Sequence, residues 1–156
     1  MPDVRAMRAE CQEVETGLSY LRRLVQGRLD IVGVERQRRR DGAPPDDLAA
    51  LVERLPEILS DRGRAPGLGR LPQLMAPGDV DALLEAELGA ITAGQDLSTM
   101  PGLSDAELDD VHARLDALEQ SVSAKRRAVF DQIDALQAEI TRRYRTGEAS
   151  VESLLQ

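Results

Sequence analysis

The chain has 156 residues, one domain's worth, and its three aromatic residues (Tyr20, Phe130 and Tyr144), with no Trp, cannot anchor a thick globular core. Its net charge of −8 is uneven: residues 1–41 carry nine basic and seven acidic side chains, residues 111–156 seven of each, and the stretch between four basic against fourteen acidic. That acidic middle disfavours direct DNA binding and anionic lipid and suits a basic protein partner; the single Cys11 excludes a disulfide framework. No apolar run approaches the roughly 18 residues of a membrane span and there is no signal-peptide core, so the protein is expected in the cytoplasm.

In chain order, Met7, Cys11, Val14, Leu18, Leu21, Val25 and Val32 keep alternating steps of 4 and 3, interrupted by Arg28. This a/d pattern predicts a helix over about 4–41, with Gly42-Ala-Pro-Pro as its stop and Arg38, Arg39 and Arg40 in the last turn, where cations suit the helix dipole. Asp46 or Asp47 can cap a shorter helix bearing Leu48, Leu51, Val52, Leu55, Ile58 and Leu59, which Pro56 must kink or restart. Glycine and proline mark 61–78 as a flexible linker, a short amphipathic helix follows from Asp79 with Leu84, Leu88 and Ile91, and 92–103 is a second linker. Ser104-Asp-Ala-Glu107 is a capping box that opens a long helix over about 104–146, with Val111, Leu115, Leu118, Val122, Val129, Ile133, Leu136 and Ile140 as its seam. The fold class is all-α, a single domain built on an antiparallel two-helix coiled coil. His112 has no second His or Cys at ligand spacing, so an exposed histidine and no metal are expected. No phosphate loop and no nucleophile beside a base are present, which leaves no catalytic apparatus.

Beside the first seam, Glu15, Ser19, Arg22, Gln26 and Asp30 stand at steps of 4, 3, 4 and 4. At about 100° per residue they fall within a sector of roughly 80° over some 22 Å of helix. The stripe recurs 104 residues later as Glu119, Ser123, Arg126, Phe130 and Asp134, with Phe130 in the place of the glutamine. Packed antiparallel, the two stripes merge on one side of the pair about an approximate two-fold axis, with Arg22 across from Arg126, Glu15 toward Asp134 and Asp30 toward Glu119. Two facing arginines call for an anion between them, since the flanking carboxylates are expected to lie too far along the helices to neutralise both. Arginine suits phosphate or the O6/N7 edge of guanine, and carboxylates suit guanine's N1 and N2 protons. Two guanines and two phosphates in a two-fold symmetric molecule describe cyclic di-GMP.

The repeated Glu-x3-Ser-x2-Arg-x3-Gln-x3-Asp pattern, with Leu-Ser-Tyr-Leu-Arg-Arg-Leu-Val-Gln-Gly-Arg-Leu-Asp-Ile-Val from Leu18 to Val32, resembles the RsiG family of actinobacterial anti-sigma factors. The resemblance covers the two long helices, about half of the chain. It implies a coiled coil that binds an intercalated dimer of cyclic di-GMP on the motif residues and, so loaded, sequesters a sporulation sigma factor of the WhiG class. Phe130 departs from the pattern, putting an aromatic ring that can stack on a base where the family has a hydrogen-bonding amide. Two other readings stand beside it: a structural coiled coil or adaptor with no nucleotide, and a nucleic-acid-binding hairpin using Arg22, Arg23, Lys125, Arg126 and Arg127. The carboxylates flanking that basic patch, and the acidic middle, weigh against the last.

Overall fold

Two glycines and one serine set the limits of the long helices. Gly42, at φ +77, takes the left-handed conformation that closes the first helix, and Gly147, at φ +75, does the same for the last. Ser104 starts the last helix as expected, its hydroxyl accepting from the Glu107 amide and its amide donating to the Glu107 carboxylate. A computed structural model describes residues 2–42, 48–60, 82–92 and 99–148. Its elements are α1 (Pro2–Arg40), α2 (Leu48–Ser60), α3 (Ala82–Thr92), a 3-10 turn (Met100–Gly102) and α4 (Asp105–Arg145). All are helical, and α1 against α4 is the main packing contact, as the paired seams require. The 39 residues of α1 and 41 of α4 make rods of roughly 60 Å.

The pair is antiparallel. Arg22 meets Ser123, Ser19 meets Arg126, Gln26 meets Glu119 and Arg36 meets Asp109, and in each case the two residue numbers add to 145. Gly42 and Ser104 are therefore nearly level, and the chain leaves and re-enters the hairpin at one end.

The core lies toward that end. Leu18, Leu21, Val25 and Val32 of α1 interlock with Leu108, Val111, Leu115, Leu118 and Val122 of α4. Leu84, Leu88 and Ile91 of α3 and Met100 of the turn complete the same cluster, with Leu55 and Ile58 of α2 packed against it. Pro56 sits inside α2, which runs through it without a restart. The proposed caps Asp46 and Asp47, the linker over 61–78 and the start at Asp79 lie outside the described residues.

At the other end the seam departs from expectation. Met7 and Val14 are each 53% exposed, whereas Glu15, one residue on, is only 6% exposed. Among the described residues no third element adds to the core there, and the carboxylate of Glu15 is drawn inward by partners on both helices, which rolls Val14 outward. Cys11 is half-buried, its thiol 3.9 Å from Gln132 Oε1.

The basic end of α1 also does more than complement a dipole. Arg38 and Arg39 fold back onto Glu35, which is 3% exposed, with Nε to carboxylate distances of 3.0 and 2.7 Å. Arg39 reaches on to the carbonyls of Leu103 (2.6 Å) and Met100 (3.2 Å) and to Asp105 (3.1 Å). It thereby clamps the 3-10 turn, inside the stretch expected to be a linker, onto the end of α1. Burial pushes the Glu35 carboxyl up, but the hydrogen bonds and charges of Arg38 and Arg39 outweigh it and hold it below its ordinary value.

Candidate functional site

Both stripes are helical throughout, and helix geometry alone brings Ser19 within 2.6 Å of Glu15 and Ser123 within 3.0 Å of Glu119, one turn apart on the same face. The antiparallel register then delivers an arginine from the opposite helix to each pair. Arg22 Nε donates to Glu119 Oε1 and to Ser123 Oγ, both at 3.0 Å. Arg126 Nε donates to Glu15 Oε1 at 3.0 Å and to Ser19 Oγ at 2.7 Å. Moving 104 residues along from α1 to α4, and back again, converts one set of contacts into the other. The approximate two-fold axis is real in the contacts, and it crosses the pair between Ser19 and Arg22 on α1 and between Ser123 and Arg126 on α4.

This corrects the expected electrostatics. The arginines do not face one another across an uncompensated gap, because each is neutralised by the glutamate of the other helix. The repeat fixes which residues are equivalent but not the register, and a register set by the level ends Gly42 and Ser104 is about one turn away from the one that opposes Arg22 to Arg126. That shift carries each arginine from its twin to its twin's carboxylate. In this register the backbone positions of Arg22 and Arg126 are offset along the pair by three residues, roughly 4.5 Å.

The pinning is one-sided. Nε of each arginine is held, while Nη1 and Nη2 of Arg22 and Arg126 carry no hydrogen bond among the described residues. The side chains are 35% and 32% exposed. Two forks of charged donors are thus fixed on one face with their outer edges open, and such edges bind planar or phosphate oxygens in a bidentate manner.

The halves differ at the fourth motif position. Gln26 Nε2 donates to Glu119 Oε1 at 3.0 Å, so that carboxylate gathers Gln26, Arg22 and Ser123. Phe130 has no amide to offer, and the Arg126 guanidinium lies over its ring, 4.7 Å from the centroid. At the fifth position Asp30 lines an open groove of about 910 Å³ beside Gln26 and Glu119, walled by His112 and Asp116 of α4 and Leu59 of α2. Asp134 is exposed on α4, in a shallower cleft with Gln137 and Thr141, and joins none of the hydrogen bonds of the arginine clusters among the described residues. The structure therefore gathers Glu15, Ser19, Arg126 and Phe130 into one group and Glu119, Ser123, Arg22 and Gln26 into another, with Asp30 at the rim of the second and Asp134 apart.

His112 is half-buried in that groove rather than exposed. Burial first, and then the charge of Arg36, lowers its pKa against the opposing pull of Asp116 and Asp109. Sequence reasoning missed it as a groove residue because it sits one position past Val111, on the flank that α1 covers at this register.

Among the described residues no group of three or more His, Cys, Asp or Glu is placed to hold a metal ion, and no helix is long and apolar enough to cross a membrane. No curated protein matches the chain. A family profile does, over residues 1–59 and 94–156, which takes in both long helices and both copies of the stripe, and its description is RsiG-like. The chain belongs to the RsiG-like family.

Proposed function

We propose that this protein is an anti-sigma factor that binds two molecules of cyclic di-GMP, stacked as a dimer, on the face carrying Arg22 and Arg126, and that in the loaded form it holds a sigma factor of the WhiG class. Family membership supports the regulatory role. The observation that carries the ligand is the pair of arginines pinned through Nε by a Glu-Ser couple of the opposite helix, with both outer edges open. Each outer edge fits a phosphate or the O6/N7 edge of a guanine, and Asp30 and Asp134, further out on each stripe, suit the N1 and N2 protons. Glu15 and Glu119 position the arginines in this reading.

With Arg22 paired to Glu119 and Arg126 to Glu15 there is no arginine repulsion to relieve, so a nucleotide dimer acts by bridging α1 to α4 and setting the surface that the partner meets. Ligand and partner must then strengthen one another by the same factor. Calorimetry on the whole chain should give two nucleotides per chain, with Arg22→Ala and Arg126→Ala each weakening binding by roughly 2 to 5 kcal/mol, the usual cost of removing one partner of a close charged contact. One nucleotide per chain, or unchanged affinity in both variants, would overturn the shared site. Sigma-factor affinity measured with and without cyclic di-GMP at fixed salt should differ, and equal values would end the switch.

One observation favours a second reading, a structural coiled coil with no nucleotide. Glu15 and Glu119 already neutralise Arg126 and Arg22, so the arginines do not require an added anion. The same titration separates the two.

A further inference from the structure

We infer that the two halves of the site are inequivalent, Phe130 making the Arg126 half a base-stacking subsite while Gln26 makes the Arg22 half a hydrogen-bonding one. This rests on the nucleotide reading above and assigns the division of labour within it.

Positions 26 and 130 correspond under the 104-residue repeat, yet they do different chemistry. Gln26 spends an amide proton on Glu119 at 3.0 Å and so belongs to the network that fixes Arg22. Glu15, the counterpart of Glu119, receives Ser19 and Arg126, and the phenyl ring of Phe130 adds nothing to it. The ring instead lies against the Arg126 guanidinium at 4.7 Å. That guanidinium is itself anchored to Glu15 and Ser19, so the ring rests on a fixed cation. The residue stays 36% exposed, so apolar surface remains beside an arginine whose outer edge is open.

A purine presents two things to a protein, an edge of donors and acceptors and a flat face. The Arg126 half supplies a partner for each, the fork for the edge and the ring for the face. The Arg22 half supplies a fork and an amide, both of which read edges. Phe130, with Arg126 over its ring, is committed to no hydrogen bond and offers exposed apolar surface, whereas Gln26 already spends one amide proton on Glu119. The Arg126 half is therefore the tighter of the two and the less selective for the base, since every base has a face to stack. Phe130 is a specificity-determining position in this sense, and the ligand it takes is a purine ring of the nucleotide dimer.

The test is calorimetry and proton NMR of the full-length chain saturated with cyclic di-GMP. In the wild type the guanine H8 signals should fall into two sets, one moved upfield by the ring current of Phe130. Phe130→Leu keeps apolar bulk and helix propensity but removes the π face. It should weaken binding about 10-fold, within the range spanned by base–aromatic stacking, and abolish the upfield set. Phe130→Tyr should preserve both affinity and the shifted signals, and Phe130→Gln should make the halves alike and merge the signals. If Phe130→Leu loses helix by circular dichroism, the comparison of Phe130→Gln with Phe130→Tyr decides the same point. Wild-type affinity and an unchanged H8 pattern in both Phe130→Leu and Phe130→Gln would overturn the inference while leaving the ligand intact. A wild-type chain that binds no cyclic di-GMP would instead overturn the ligand reading and this inference with it.

Discussion

Removing Arg126 should cost more folding stability than removing Arg22, although the two arginines make matching contacts. The difference lies in what each leaves behind. Without Arg126, the Glu15 carboxylate is left at 8% side-chain exposure with Ser19 as its remaining donor. Without Arg22, Glu119 is 18% exposed and still receives both Ser123 and Gln26. A buried acceptor deprived of a charged donor costs about 1 to 3 kcal/mol, and Arg126→Ala should fall in the upper part of that range. Arg22→Ala should cost about 1 kcal/mol or less. The coupling within each Arg–Glu pair is reduced by solvent, since both guanidinium groups are about a third exposed. Double-mutant cycles with Glu15→Ala and Glu119→Ala should accordingly return about 1 kcal/mol for Glu15 with Arg126 and about 0.5 for Glu119 with Arg22. Urea unfolding followed at 222 nm reads these values as shifts of midpoint at constant slope. The reasoning fails if Arg22→Ala is the more damaging variant, or if both cycles give no coupling.

Two more predictions concern the scaffold. Glu35 has its folded pKa lowered, so its contribution is fully present above the ordinary glutamate value and is lost as pH falls through the lowered one; Glu35→Gln should cost about 1 to 3 kcal/mol near pH 7 and flatten the fall of stability below about pH 4, which thermal melts across pH 2 to 7 would read. Leu21→Ala or Leu118→Ala, at fully buried seam positions, should cost about 2 to 5 kcal/mol, while Met7→Ala and Val14→Ala, nominally in the same seam, should change stability by less than about 0.5 kcal/mol.

Much of the architecture is legible because it is written locally. The a/d spacing gives both rods, Gly42 and Gly147 their ends, and Ser104 with Glu107 the start of α4. The seam of α4 from Val111 to Val122 is buried as its spacing implies. What periodicity leaves open is the sliding of one helix along the other, because a heptad pattern tolerates a shift of one turn with little change in which apolar faces meet. The partners of Arg22 and Arg126 depended on that shift. The outward roll of Val14 was hidden for a similar reason, since Glu15 comes inward at the register that places Arg126 level with Ser19. The Arg39 clamp depends on chain that returns 61 to 64 residues later to the same end, and no local spacing records it.

The uneven cover on the hairpin also grades its mobility. From Leu18 toward Arg40, α1 shares one apolar cluster with α4, α3 and the clamped turn, and backbone there should open at a cost approaching that of global unfolding. Toward the other end, where Val4 and Ile140 are buried outside that cluster and Met7 and Val14 face water, no third element among the described residues adds to the pair, and the two rods should separate more cheaply. The polar stripes straddle this border. Arg22, Gln26, Glu119 and, level with Ser19, Arg126 belong to the stiff half, and Glu15, Phe130 and Asp134 to the loose one. Anything that bridges the arginines to Phe130 or Asp134 fastens the loose end to the stiff one, so its largest effect on motion falls at the end where α1 begins and α4 finishes.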